Sequence, residues 1–263
     1  MRRGAALALA LSFAGAAHAQ EKDAPICTDR PARANAVCTV PAGRIQVETS
    51  ALGWTVIQAG PDRAELLTVA SSVAKIGLTD RSDLQIGFTP FAELTGRAEG
   101  ASRRISGLGD ILVRYKHRLT SADAPVQLAA IPFVKLPAAT GALGNGRVEG
   151  GIALPVSFAL GAAATLTLGP ELDLLADADG SGRHLAMANL INLSLAIAPR
   201  WTLAGEIWTN FNFDPDKTIS QASADAAIAY ALSNNLQLDS GANVGLTRAT
   251  PDLEFYVGLS VRF

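Results

Sequence analysis

The chain has 263 residues, with 22 Lys and Arg set against 24 Asp and Glu for a formal net charge of −2. That balance lacks the basic footprint of a nucleic-acid binder, so no nucleic-acid partner is expected. Only 17% of residues are charged while 49% are hydrophobic, against roughly one quarter charged in ordinary soluble domains, so the apolar side chains must fill a large core or face lipid.

Met1-Arg2-Arg3, the apolar run from Ala5 to Ala16 and the small-x-small triplet Ala17-His18-Ala19 predict a secretory signal peptide over 1–19, cleaved near Ala19. The apolar run is too short to span a membrane as a helix. Export gives meaning to the only two cysteines, Cys27 and Cys38. In an oxidising compartment an even, closely spaced pair predicts one disulfide, and closing so short a loop stabilises it by about 3 kcal/mol. No other Cys or His accompanies the pair, so no metal site is expected there. Residues 20–43 therefore read as a periplasmic N-terminal segment, a small stapled plug or lid.

From residue 44 onward, polar turn clusters punctuate segments of alternating polarity. Strands are predicted at 44–58, 64–78, 82–95, 107–120, 125–138, 147–160, 163–177, 183–198, 201–213, 219–232, 235–248 and 252–263. Leu84, Ile86 and Phe88 oppose Gln85, Gly87 and Thr89; Ile191, Leu193 and Leu195 oppose Asn192 and Ser194. Segments 64–78 and 125–138 alternate less cleanly. Twelve is an even number, as bacterial single-chain barrels have. Connections alternate as well. Thr79-Asp80-Arg81, Gly161-Ala162, Pro199-Arg200 and Ser233-Asn234 are short, whereas 96–106, 139–146, 178–182 and 214–218 are longer and more polar.

In the last strand Leu253, Phe255, Val257, Leu259, Val261 and Phe263 share one face, and Glu254, Tyr256, Gly258, Ser260 and Arg262 the other. A chain ending on such a strand with Phe is like bacterial outer-membrane barrels. The fold expectation is all-β: a transmembrane antiparallel up-and-down β-barrel of about twelve strands over 44–263. Outer-membrane lipid, lipopolysaccharide and the barrel-assembly machinery, engaged through the strand ending at Phe263, are the expected partners.

Rival folds exist. The uncharged stretch 150–170 is long enough for a membrane helix, but Pro155 and Gly161 interrupt it and its apolar residues recur every second position. A soluble β-sandwich or a large lipocalin-like barrel is the stronger rival. Aromatic residues total 6%, a thin supply for two interfacial girdles. Phe158, Trp201, Tyr230 and Phe263 are assigned to the inner ring and Phe211, Phe213 and Phe255 to the outer.

With apolar faces in lipid, the opposite faces line a lumen. Lys75, Arg114, Lys116, Arg118 and Lys135 come from strands two, four and five. Glu171, Asp173, Glu206, Asp225, Asp239 and Glu254 come from strands seven and nine to twelve. One wall is then basic and the other acidic, either ordering solutes in a pore or pairing to fill a closed lumen. Trp54, Trp208 and Tyr256 also fall inward, where they stack on a solute or occupy volume.

Three other features carry less. A hydrolase needs nucleophile, base and orienting group in reach of one another. The mature chain offers only His117, on the lipid face, and His184, read as a solvated loop residue beside Asp177 and Asp179. Gly141 to Gly146 has phosphate-loop spacing but is followed by Arg147-Val148. Asp177-Ala-Asp-Gly-Ser-Gly182 echoes a calcium loop but lacks its third ligand and distal Glu. No cofactor, no metal and no catalytic residue is predicted.

Cys27-Thr-Asp-Arg-Pro31 with Cys38-Thr-Val-Pro-Ala-Gly-Arg-Ile-Gln-Val-Glu48 resembles the start of the transporter-like outer-membrane family named for the meta-pathway of phenol degradation. Lys75-Ile-Gly-Leu-Thr-Asp-Arg-Ser-Asp83, Gly107-Leu-Gly-Asp110, Val134-Lys-Leu-Pro137 and Asn235-Leu-Gln-Leu-Asp239 follow in the same order. The resemblance spans nearly the whole mature chain. It implies a barrel and the passage of small hydrophobic or aromatic compounds, and carries over no functional residue. The expected function is passive transport of a small-molecule solute across the outer membrane. A non-conducting structural or adhesive barrel and, more remotely, an outer-membrane hydrolase are the alternatives.

Overall fold

The computed structural model describes residues 24–98 and 100–263; the predicted signal peptide lies outside the described residues. Twelve strands form one closed sheet, four of them interrupted. They are β1 (Ile45–Ala59), β2 (Asp62–Thr79), β3 (Ser82–Phe88 and Phe91–Ala98), β4 (Ala101–Gly107 and Ile111–Arg118), β5 (Val126–Leu136) and β6 (Glu149–Ala153 and Val156–Ala159). The remainder are β7 (Ala164–Leu168 and Glu171–Ala176), β8 (Arg183–Ala198), β9 (Trp201–Phe213), β10 (Thr218–Ser233), β11 (Leu236–Gly245) and β12 (Leu253–Arg262). Each pairs antiparallel with its neighbours in sequence, and β1 pairs with both β2 and β12. The seam closes where the Phe263 N–H donates to the Ile45 carbonyl at 2.8 Å. No edge strand remains among the described residues.

The distribution of polarity is inverted relative to a soluble protein. Lys116, Gln46, Gln85 and Asp83 are almost wholly buried, while Ile191, Ile207, Leu185 and Leu238 are exposed. Strand alternation produces this directly, because successive side chains point to opposite sides of the wall. On β8, His184, Ala186, Ala188, Leu190 and Asn192 face in and are buried, whereas Leu185, Met187, Ile191 and Leu193 face out. An apolar belt around an entire barrel is stable against hydrocarbon, not against water. Trp201 lies against Tyr230 with ring centroids 4.6 Å apart at the end bearing Phe263, which is also exposed. Phe211, Phe213 and Phe255 are exposed towards the opposite end, and Phe158 is half-buried.

Proline explains three of the four interruptions. It lacks an N–H and cannot donate to a ladder, and Pro90, Pro155 and Pro170 lie at the breaks in β3, β6 and β7. The breaks in β6 and β7 are adjacent and patched by remaining donors: Leu154 N–H reaches the Pro170 carbonyl at 2.9 Å and Gly169 N–H the Leu190 carbonyl at 3.0 Å. The stretch 150–170 is thus a broken hairpin, and no helix among the described residues is long and apolar enough to cross a membrane.

Two expectations change. The predicted loop 96–106 is mostly strand: pairing runs on through Arg97–Ser102 to Ala98–Ala101, extending the β3–β4 hairpin. The second change is a bulge in β1. Between Ser50 and Leu52 the register slips against β12, and Ala70, opposite on β2, takes φ 56°. One extra residue reverses the faces beyond it. This accounts for the uneven alternation of 64–78.

Candidate functional site

Residues 24–44 have no alternating pattern and join no strand. They fold into the barrel, where inward side chains of eight strands, β1 to β4 and β9 to β12, hold them. The segment read from sequence as a small stapled plug or lid thus packs inside the barrel. Its entry is fixed by the Ile26 N–H on the Asn234 carbonyl at 2.7 Å and the Arg262 guanidinium on the Ala24 carbonyl at 2.6 Å. Its exit is fixed by Gly43 N–H to Gly77 O at 2.9 Å and Gly77 N–H to Arg44 O at 3.0 Å. Gly77 is required there, since a Cβ would collide with the Pro41 carbonyl.

The Cys27–Cys38 disulfide is formed, and the loop it closes carries three charged residues, Asp29, Arg30 and Arg33. Asp29 faces the basic wall. Its Oδ2 is 2.6 Å from Lys75 Nζ on β2 and its Oδ1 is 2.7 Å from Lys116 Nζ on β4. Both lysine side chains are at most 3% exposed. Lys75 also pairs with Glu48 at 2.5 Å, and Lys116 donates to the Ala36 carbonyl at 2.7 Å. Arg114 contacts Asn35 of the plug. Burial alone would push the Asp29 carboxyl up; Lys116, Lys75 and Arg114 reverse that and hold it well below the usual carboxylate range.

The two arginines face the acidic wall. Arg30 grips Asp239 with both Nη2, at 2.6 Å, and Nε, at 3.2 Å, and lies 5.5 Å above the Tyr256 ring. The Tyr256 hydroxyl donates to the Pro31 carbonyl at 2.7 Å. Arg33 bridges Asp225 at 3.2 Å and Glu254 at 2.6 Å with its guanidinium 4.9 Å from the Trp208 ring centre. Glu206 accepts the Ala34 N–H at 3.0 Å. The plug thus presents to each wall the opposite charge, in the planar forked geometry that arginine offers carboxylates.

The remaining predicted positions are placed as follows. Arg118 is buried and donates to the Asp80 carbonyl at 2.9 Å. Lys135 lies towards the end opposite Phe263, 2.7 Å from Glu149 and 3.5 Å from Asp110. Glu171 and Asp173, with Arg33, Leu190, Trp208 and Asn210, line a cavity of about 250 Å³ between the plug and the β6–β9 wall. The buried Asp173 Oδ1 has no hydrogen-bond partner. Trp54 is a correction: the β1 bulge sets it opposite Phe255, on the outward face, instead of beside Tyr256. His117 shares the outer face with Tyr115, rings 6.2 Å apart. His184 is also a correction, for it is buried at the start of β8 with Nδ1 2.8 Å from Asp177. Sequence reasoning missed Asp29, Arg30 and Arg33. The available signal was three charges within one short cysteine loop, opposite in sign to the two predicted walls.

Comparison with known proteins agrees with this architecture. The fold is similar to an outer membrane channel from Pseudomonas putida F1, with a TM-score of 0.69 at 15% identity, covering 86% of this chain and 98% of that one. The NanC porin follows at TM-score 0.54 and 9% identity over 82% and 98% of the two chains. The KdgM porin, solved with disordered oligogalacturonate, gives 0.51 and 7% over 84% and 99%. A search of curated proteins found no match. The model of the family described as "Putative MetA-pathway of phenol degradation" matches residues 28–263, and the chain belongs to that family.

Proposed function

We propose that the protein is an outer-membrane channel admitting small, largely apolar or aromatic molecules, with flow governed by the N-terminal plug. The observation that carries this reading is the cavity of about 250 Å³ beside the plug, where Trp208 and Leu190 supply apolar surface in an otherwise charged lumen. Arg33, Asn35, Glu171, Asp173 and Asn210 set polar groups beside that apolar surface, a mixture that suits a small ring bearing a polar substituent. Membership of a family named for phenol degradation supports an aromatic cargo. With Phe263 at the periplasmic end, the longer connections face outward. Permeation then follows the solute gradient.

The density of ion pairs between plug and wall favours a second reading, a barrel that stays closed and serves through its loops. Liposome-swelling assays on the refolded mature chain separate the two. Entry of phenol-sized solutes supports the channel; neither solute entry nor single-channel current, in a correctly folded preparation, removes it.

A further inference from the structure

At the end of the lumen opposite Phe263, the β7–β8 and β9–β10 loops meet over one buried imidazole. His184 faces inward as the second residue of β8, and its side chain is 5% exposed. Its Nδ1 points at two carboxylates from different hairpins, 2.8 Å from Asp177 Oδ1 and 3.5 Å from Asp214 Oδ2. These side chains are themselves only 12% and 8% exposed. One ring proton can serve one carboxylate. Among the described residues no lysine or arginine pairs with either aspartate. Two carboxylates therefore converge on one ring nitrogen, while the other, Nε2, is buried without a partner.

The local backbone supports this convergence. Asp177 closes its loop through its N–H on the Gly182 carbonyl at 3.1 Å, and a Cβ at Gly182 would strike the Asp177 carboxylate. Asp214 is set by the Ala178 and Asp216 N–H groups at 2.8 and 2.9 Å. Asp179 turns away to its own Ser181, so the calcium-like spacing of 177–182 does not produce a single-loop ligand set. The three donor atoms lie within 4.8 Å of one another. Ligands about 2.0–2.2 Å from a metal are about 3–4 Å apart, so small side-chain adjustments suffice.

We propose that Asp177, His184 and Asp214 bind one divalent cation of the zinc class, which ties the two loops together across the mouth of the lumen. One nitrogen and two carboxylates suit zinc, or cobalt as its spectroscopic substitute, better than calcium or magnesium, which take oxygen ligands. A 2+ ion neutralises both aspartates and leaves a coordination position open to water or solute.

The test uses the full mature chain in detergent, free of lipopolysaccharide and treated with chelator. Cobalt is titrated by visible absorption and then displaced with zinc, and the thermal midpoint is followed as zinc is added. One equivalent of cobalt should bind, a hundredfold excess of calcium should not displace it, and zinc should raise the midpoint with saturation at one equivalent. His184→Gln and Asp214→Asn should each weaken binding at least about tenfold, with Asp177→Asn as a substitution outside the strands should either fail to fold. No uptake by wild type, uptake equal in all variants, or one-for-one displacement by calcium overturns the proposal. The first result would leave an aspartate–histidine–aspartate triad bridged by protons alone.

Discussion

Asp29 and Lys116, 87 positions apart in sequence, meet with 2.7 Å between Oδ1 and Nζ inside the barrel. Lys75 reaches the other oxygen of the same carboxylate, so one plug residue neutralises charge on two strands. A buried ion pair contributes little net stability over an apolar substitute, yet removing one partner leaves an uncompensated buried charge. Asp29→Ala should therefore weaken plug docking by about 3 kcal/mol. The checks are a rise in single-channel current and faster cleavage within residues 24–43 by an added protease. Wild-type behaviour in both assays would show that the wall lysines do not hold the plug.

The same carboxyl sets a pH window. Its docked value lies below the ordinary aspartate value of about 3.9. A depressed carboxyl contributes fully above its undocked value and loses that contribution as pH falls through its docked one. Acidification from pH 7 to 5 should therefore leave the Asp29 pairs intact, and release through this residue should begin only below about pH 4. Protease sensitivity of the plug across that range is the measurement. Release of the wild-type plug above pH 5 that persists in Asp29→Asn would assign the transition to other groups.

Arg33 combines two carboxylates with a stacked indole. Arg33→Ala should weaken docking by on the order of 3 kcal/mol, or about a hundredfold in the docked-to-free ratio. Arg33→Lys keeps the charge but not the planar fork, and its open probability should fall between wild type and alanine. Equal behaviour of the two variants would mean that only charge matters.

The disulfide closes the loop bearing Asp29, Arg30 and Arg33. Opening it, by reductant or Cys27→Ser with Cys38→Ser, returns about 3 kcal/mol of chain entropy to the free plug. More frequent open events in a barrel of unchanged thermal midpoint are expected. A fall in that midpoint would instead make the staple part of the barrel's own stability.

Trp208 borders the cavity. Trp208→Ala should change aromatic solute uptake roughly three- to tenfold while leaving sugar entry and assembly unaltered. A parallel change for both solute types would point to a loosened plug, because Arg33 also rests on this ring.

Most of the barrel is readable from period-two alternation, since each strand carries its own record of which side is wet. β12 shows it without interruption, whereas in β8 Leu190 faces the lumen and the register slips at Ala196–Ala198. The reading fails where one residue is added: nothing in the composition of Ser50-Ala51-Leu52 announces a bulge, and Trp54 consequently turns outward. The predicted strands 147–160 and 163–177 run unbroken through Pro155 and Pro170, at which the ladders of β6 and β7 are interrupted side by side. The two charged walls were visible strand by strand. What neutralises them was not, because the plug has no periodicity and Arg30 finds Asp239 across 209 positions. His184 was misplaced for a related reason, as its burial depends on Asp214 from a different hairpin.

The anchor at Gly43 and Gly77 acts as a short leash. From Cys38 to Gly43 the backbone can reach at most about 17 Å when drawn straight, and the sulfur bridge prevents the preceding loop from paying out further length. The stopper can tilt or swing at the rim where it is tied, but it cannot be expelled through the far opening. Any unblocking of this conduit must therefore happen from the end at which Gly43 and Gly77 tie the stopper.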